Sequence, residues 1–339
     1  MIFAKNWIGD VIFAEPLIRV LKKQYPQSYL ICVAPPRCKS FLAKNPHIDE
    51  ILTFDEKGSE RSFLARIRFI FKLRKKAINR VYLLHRSFSR AFMCYTAGIR
   101  ERIGYDTKGR GGLLTQKYTV EDTIRNKEHD VDYFMRLAGD IKATDNEREY
   151  RFYFSDDDKA HAESLLRSKK LHNNKFIVIN PGGNWLPKRW PIEYFARFAN
   201  LFYEQFSLPV VISGNESNQK LADNIIEMTN YQQCVSLCGK TTLTQVGALF
   251  SRSMFVLTAD SGPMHIASGV GAPVVALFGP TDFTRTGPRG VGEKIILYNR
   301  DATCSIPCYE MECKKYTCMS NISPEMVMDA VQKLLANQS

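Results

Sequence analysis

Apolar residues alternate along the chain between two patterns. Short unbroken apolar runs read as buried strands, and stretches with apolar residues three or four apart read as amphipathic helices. In the first half the runs at 2–4, 29–34, 48–54 and 81–84 predict strands. After the first of them, Val11, Ala14, Ile18 and Leu21 keep helical spacing, and Pro16 predicts a kink or a late helix start. Residues 37–44, 87–97 and 129–138 read as further helices. Residues 61–77 predict a basic amphipathic helix with Phe63, Ile67, Ile70 and Phe71 on one face. The glycine-rich, basic segment 102–112 reads as a mobile loop. A helix opens on Asp156, Asp157 and Asp158, since acids favour a first turn, and 171–175 is the linker candidate. A second series follows: strand 176–179, helix 192–206, strand 209–213, helix 219–228, the unit 255–282 and a last helix 324–335. Such alternation in both halves predicts an α/β protein of two doubly wound domains with a cleft between them, spanning 1–168 and 175–339.

The unit 255–282 is the most informative stretch. It reads as strand, tight turn, short helix, strand and turn. Asp260 and Ser261 are both able to cap the helix, Gly262 admits close approach of a ligand, and Pro263 suits the first turn. A helix N-terminus after a strand offers N–H groups and partial positive charge to a phosphate. His265, in the first turn, is either structural or part of that site.

Other turns carry further candidates. Lys188 follows Gly182 and Gly183 in the turn after strand 176–179, and reads as a diphosphate contact or as a surface lysine. Trp185 and Trp190 stack on a ligand or pack in the core. Glu216 accepts from a ribose or is an exposed acid. The segment 239–242, with Thr241, precedes a helix and resembles the tail of a P-loop, but the upstream glycine is missing and that reading is rejected. No GxGxxG occurs, so dinucleotide binding has no support. Asp10, in the first turn of the first domain, is a general base or a helix cap.

Composition narrows the class. The 339 residues suit one large or two medium domains, and a hydrophobic content of 45% is ordinary for a globular chain. No apolar run approaches the ~20 residues of a membrane helix, and residues 1–5 do not form a secretory leader, so the expected location is cytoplasmic. Nine cysteines then argue for thiols or metal ligands rather than a disulfide framework. Cys304, Cys308, Cys313 and Cys318 match zinc spacing only in part. The net charge is +12, and residues 61–110 hold fourteen Lys or Arg against two acids, so this one segment carries the whole surplus. The stripe predicts an anionic partner (phosphorylated lipid, membrane surface or nucleic acid) or else a solvated helix face.

The ordered set Trp7-Ile8-Gly9-Asp10, Arg102-Ile103-Gly104-Tyr105, Asn180-Pro181-Gly182-Gly183, Lys188-Arg189-Trp190-Pro191, Asp260-Ser261-Gly262-Pro263-Met264-His265 and Phe278-Gly279-Pro280-Thr281-Asp282 resembles the family 9 glycosyltransferases, most closely the lipopolysaccharide heptosyltransferase II branch. The resemblance implies a GT-B fold: two Rossmann-like domains facing across a cleft, the last helix crossing back to the first. It implies an inverting transferase that requires no metal or cofactor, with ADP-heptose as donor and the lipopolysaccharide inner core as acceptor. Asp10 matches the base. Lys188, Gly182, Gly183, Asp260, Ser261, Gly262 and His265 match donor-binding positions, and Glu216 and Thr241 match less closely. Asn184 departs from the hydroxyl residue of some relatives. Arg102, Tyr105, Lys108 and Arg110 become the acceptor-binding candidates. The basic segment then meets acidic sugars of the acceptor, or anionic lipid on the cytoplasmic face of the inner membrane. Rival expectations are a family 9 transferase acting on Kdo-lipid A or a protein hydroxyl, a sugar-nucleotide epimerase of the same fold, and a basic nucleic-acid-binding protein without a recognisable motif.

Overall fold

The computed structural model describes residues 1–120, 128–141, 143–173, 175–183, 185–298, 305–308, 310, 313 and 317–336. They form two compact units, Met1–Tyr150 and Arg151–Ser339.

In the first unit the apolar runs become β1 (Ile2–Phe3), β2 (Ile31–Ala34), β3 (Glu50–Thr53) and β4 (Arg80–Leu83). They are joined by β5 (Glu101–Tyr105) and β6 (Gln116–Tyr118) in a parallel sheet of order β3-β2-β1-β4-β5-β6. Runs such as Ile-Cys-Val-Ala in β2 are continuous because both faces of a doubly wound sheet are covered. One face packs Phe3, Phe54, Phe69 and Leu73 with Leu83, Ala91 and Cys94, under the helices Phe63–Lys75 and Phe88–Thr96. Pro16 does start a helix late: Ile8–Ile12 stops, and Glu15–Gln24 begins with the proline in its first turn.

The segment expected to be a loop at 102–112 instead opens as β5. Ile103, Gly104 and Tyr105 are buried, and a Cβ on Gly104 would lie 3.3 Å from Leu83 Cβ, so the close strand pairing depends on glycine. The face that Phe63, Ile67 and Phe71 share on the basic helix is its outer one. Phe69 and Leu73 face the core, while Phe63 and Phe71 are exposed.

The second unit repeats the plan. Its strands are β7 (Ile177–Asn180), β8 (Val210–Ile212), β9 (Cys234–Ser236), β10 (Val256–Ala259), β11 (Val274–Phe278) and β12 (Lys294–Tyr298). Their order is β12-β11-β10-β7-β8-β9, again parallel and with the first and fourth strands adjacent at the centre. Helix Ile192–Phe206 buries Phe195, Phe198 and Phe202 on this sheet, with Phe202 edge-on to Phe255.

One expected boundary moves. Helix Asp156–Ser168 belongs to the second unit, not the first. Its capping box joins Ser155 and Asp158, and Asp158 Oδ1 also accepts from Thr244 Oγ1 at 2.8 Å on helix Leu243–Arg252. The last helix, Pro324–Ala336, packs on the second sheet through Val327, Ala330, Val331 and Leu334. Trp190 Nε1 donates to Ile322 O at the approach to that helix, and Arg197 pairs with Glu325 on it.

Candidate active site

In an open parallel sheet, ligands bind beyond the carboxyl ends of the strands, where the strand order reverses. The second unit has that point between β7 and β10, and both following turns carry candidates. After β7, Asn180 Nδ2 donates to Ser213 O and Oγ, pinning the ends of β7 and β8. Gly182 lies against Asn218, and Gly183 O accepts from Arg189 Nε at 2.8 Å. Lys188 ends the short 3-10 helix Leu186–Lys188, its ammonium 5.3 Å from the Trp185 ring. Asn184 lies outside the described residues.

After β10, Asp260 is buried and takes Lys188 Nζ at 2.6 Å. The same oxygen, Oδ2, accepts from Thr281 Oγ1 at 2.7 Å, in the turn after β11. Three strand ends are thus tied by one carboxylate, which fixes Lys188 at the switch point. Asp260 is no helix cap here, and Ser261 stands at the N-cap of Gly262–Gly269 without a side-chain bond into the helix. His265 is buried in that first turn. Glu216 and the 239–241 turn also meet. Gly239, at φ +70°, backs onto Glu216, and its N–H donates to Gly214 O. Glu216 is exposed and Thr241 half-buried. The topology therefore gathers Gly182, Gly183, Lys188, Glu216, Thr241, Asp260, Ser261, Gly262 and His265 along one sheet edge. Trp190 is not there: it is buried, edge-on to Tyr194 and Phe195.

The first unit's switch point lies between β1 and β4. Asp10 is the third residue of helix Ile8–Ile12, and Trp7 occupies the N-cap, so the capping alternative for Asp10 does not hold. Lys5 Nζ reaches Asp10 Oδ1 at 3.0 Å and Asp130 Oδ2 at 3.5 Å, and lies 4.8 Å from the Phe134 ring. Burial opposes the charge on Lys5, but the two carboxylates outweigh it and raise its pKa above the ordinary lysine value. After β4, burial and then the Arg90 charge lower the pKa of His85 to about 4. Arg90 is itself buried and donates to Ala4 O, Asn6 Oδ1 and Glu56 Oε2.

The acceptor candidates divide. Tyr105 is buried and its hydroxyl donates to Tyr133 O. Arg110 is buried too and ties Tyr105 O to His85 O, bridging the ends of β5 and β4. Arg102 donates to the backbone of Leu113 and Ile99. Tyr105 and Arg110 are internal braces, Arg102 is a half-buried one, and Lys108 is the exposed residue of the four, at φ +54°. Cys308, Cys313 and Cys318 are half-buried, and Cys304 lies outside the described residues. Among the described residues, no group of three His, Cys, Asp or Glu is placed to hold a metal ion.

Sequence reasoning missed Lys5 and Thr281. Lys5 shares a βα turn with Asp10, and Thr281 stands in the quoted Phe278-Gly279-Pro280-Thr281-Asp282 run, so both were within reach of a search for side chains at strand ends.

Residues 66–322 match glycosyltransferase family 9 (heptosyltransferase). The chain is 28% identical over 295 residues to lipopolysaccharide heptosyltransferase 2 of Escherichia coli K12, covering 84% of each. It is 27% identical to lipooligosaccharide heptosyltransferase 2 of Haemophilus influenzae, over 99% of each. Among solved structures, a family 9 glycosyl transferase from Veillonella parvula superposes with a TM-score of 0.87 at 24% identity, covering 99% of this chain and 96% of that one. The ADP-heptose lipopolysaccharide heptosyltransferase II of E. coli superposes with a TM-score of 0.80, also at 24% identity, covering 99% and 98%. The chain belongs to glycosyltransferase family 9, and its two Rossmann-like sheets are those of the GT-B fold.

Proposed function

We propose that this glycosyltransferase is an inverting enzyme that moves heptose from ADP-heptose to a heptose of the lipopolysaccharide inner core. The observation that carries the proposal is the match to heptosyltransferase 2 enzymes over 84% or more of each chain. The site agrees with it. A nucleoside diphosphate needs a fixed cation and helix N–H groups, and the second switch point offers Lys188, braced by Asp260 and Thr281, beside the helix at Gly262.

In the reaction the acceptor hydroxyl oxygen bonds to the anomeric carbon, and the bond from that carbon to the diphosphate oxygen breaks. Asp10 takes the hydroxyl proton, and Lys5 holds its carboxylate in place. The charge gathering on the departing ADP is met by Lys188 and the helix N-terminus, already oriented before the reaction. Glu216 and the turn at Thr241 bind the nucleoside end. Lys108 is the acceptor contact that remains of the four expected from sequence. The protein works on the cytoplasmic side, in peripheral contact with the inner membrane, where a lipid-borne acceptor is presented. No helix among the described residues is long and apolar enough to cross a membrane.

The test is ADP release from ADP-heptose with heptosylated core. Turnover supports the proposal. Silence with this pair, together with turnover of another sugar nucleotide, overturns the donor.

A further inference from the structure

Two neighbouring helices of the first unit share a buried core and leave an apolar face outside. On Phe63–Lys75, the exposed side carries Phe63 (77% exposed), Leu64 (66%) and Phe71, with Ile67 half-buried between them. These lie at i, i+1, i+4 and i+8, one stripe of a helix. On Phe88–Thr96 the exposed Phe88, Phe92 and Tyr95 lie at i, i+4 and i+7, again one stripe, with Phe88 stacked on Phe92 at 6.3 Å. The helices pack side by side through Phe69, Leu73, Ala91 and Cys94 on the opposite side. Six large apolar side chains facing water on adjacent helices exceed the scattered exposure usual for a surface.

Their electrostatic setting is one-sided. Residues 61–100 contain eleven Lys or Arg and no Asp or Glu. Lys76, Arg80 and Arg90 are paired with Glu50, Glu101 and Glu56. Arg68, Lys72, Arg74 and Lys75 are exposed on the first helix, and none of them is paired with an acid among the described residues. A solvated helix face needs no phenylalanine stripe, and a nucleic-acid site needs no exposed Phe63-Leu64 ridge. Apolar side chains interleaved with unpaired cations fit a surface that is anionic outside and hydrocarbon within.

We infer that helices Phe63–Lys75 and Phe88–Thr96 form a lipid-docking face, with Phe63, Leu64, Phe71, Phe88, Phe92 and Tyr95 entering the acyl boundary of an anionic membrane while Arg68, Lys72, Arg74 and Lys75 meet its headgroups. The inference rests on the reading above for its setting, a lipid-borne acceptor, but its geometry is independent of the chemistry.

The full chain is sedimented with vesicles of phosphatidylglycerol and phosphatidylcholine, or of phosphatidylcholine alone, at low and high salt. Tighter binding to the anionic vesicles, weakening with salt, is expected. The combined variant Phe63→Ser, Leu64→Ser, Phe71→Ser loses about tenfold or more in binding, and Arg68→Glu with Lys72→Glu loses at least about fivefold per charge. Both variants keep the wild-type melting temperature, because the altered side chains are exposed or peripheral to the core. Both also keep ADP release on a delipidated core acceptor. Equal binding to neutral and anionic vesicles, wild-type vesicle binding by both variants, or a dimer that the triple variant dissolves in place of vesicle binding overturns the inference. Turnover of the soluble acceptor without vesicle binding sinks the docking face and leaves the enzymatic reading standing. Vesicle binding without turnover of any ADP-heptose does the reverse.

Discussion

Asp10 and Lys188 make separable demands on turnover. On the proposed mechanism, Asp10→Asn keeps the shape of the side chain but removes the proton acceptor, so kcat is expected to fall by about 10²–10⁴ while donor affinity stays within error. Calorimetric titration with ADP beside steady-state ADP release checks both halves. Lys188→Met removes the cation held 2.6 Å from Asp260, and kcat falls by about 10²–10³. ADP binding weakens with it, which distinguishes this variant from Asp10→Asn. His85 gives a pH signature of stability. Its folded pKa is about 4 against about 6.5 when unfolded. Below pH 6.5 the unfolded chain binds a proton that the folded chain refuses, so the His85 contribution is whole above 6.5 and is lost as pH falls towards 4. Thermal melts at stepped pH record the decline, and His85→Asn flattens it in that window. The residues that sequence hid are those whose meaning is a partner. Tyr105 and Arg110 looked like acceptor contacts because a basic, glycine-containing segment is usually exposed. Their burial follows from the strand that 101–105 forms, which a run interrupted by charge and glycine does not announce.

At the scale of elements, long amphipathic helices were legible and strands with little buried apolar pattern were not. Helix Ile192–Phe206 falls where its apolar spacing puts it, because five buried residues repeat at helical intervals. Strands β5, β6, β9 and β12 escaped notice. β9 has only three residues, and β12 lies at a sheet edge with no residue fully buried, so burial writes little pattern into either. The helix Asp156–Ser168 was legible as a helix but not as part of the second unit, since its attachment is a contact between residues 86 positions apart. Thr244→Val removes that donor from the buried Asp158 carboxylate and destabilises the protein by about 1–3 kcal/mol. Urea denaturation followed by fluorescence measures it, and an unchanged midpoint would mean that the helix is held by apolar contacts alone.

For the whole molecule, the doubly wound class was legible from alternation, and the gathering of site residues was legible only through the rule that turns after parallel strands share an edge. What composition concealed is how the charge is spent. Part of the basic surplus is consumed internally by Arg90 and Arg110, part is paired as in Lys76 with Glu50 and Arg80 with Glu101, and Arg68, Lys72, Arg74 and Lys75 stay exposed on one helix. Binding of ADP should leave a footprint confined to the second unit. Hydrogen exchange is expected to slow in the turns after β7, β8 and β10 and to remain unchanged across β1 to β6. Protection in the first sheet instead would move the nucleotide site.

The chain passes from one Rossmann unit to the other once, at Tyr150–Arg151, and among the described residues neither unit lends a strand to the other's sheet. The consequence is modular inheritance. The Lys188–Asp260–Thr281 brace is built wholly from residues beyond that junction, so on the proposed division of donor and acceptor between the units, changes in the first 150 residues that spare Lys5 and Asp10 are expected to alter what is glycosylated and to leave the brace in place. On that reading a lineage is free to change its acceptor while keeping its donor, and activity of chimeras joined at this peptide is the test.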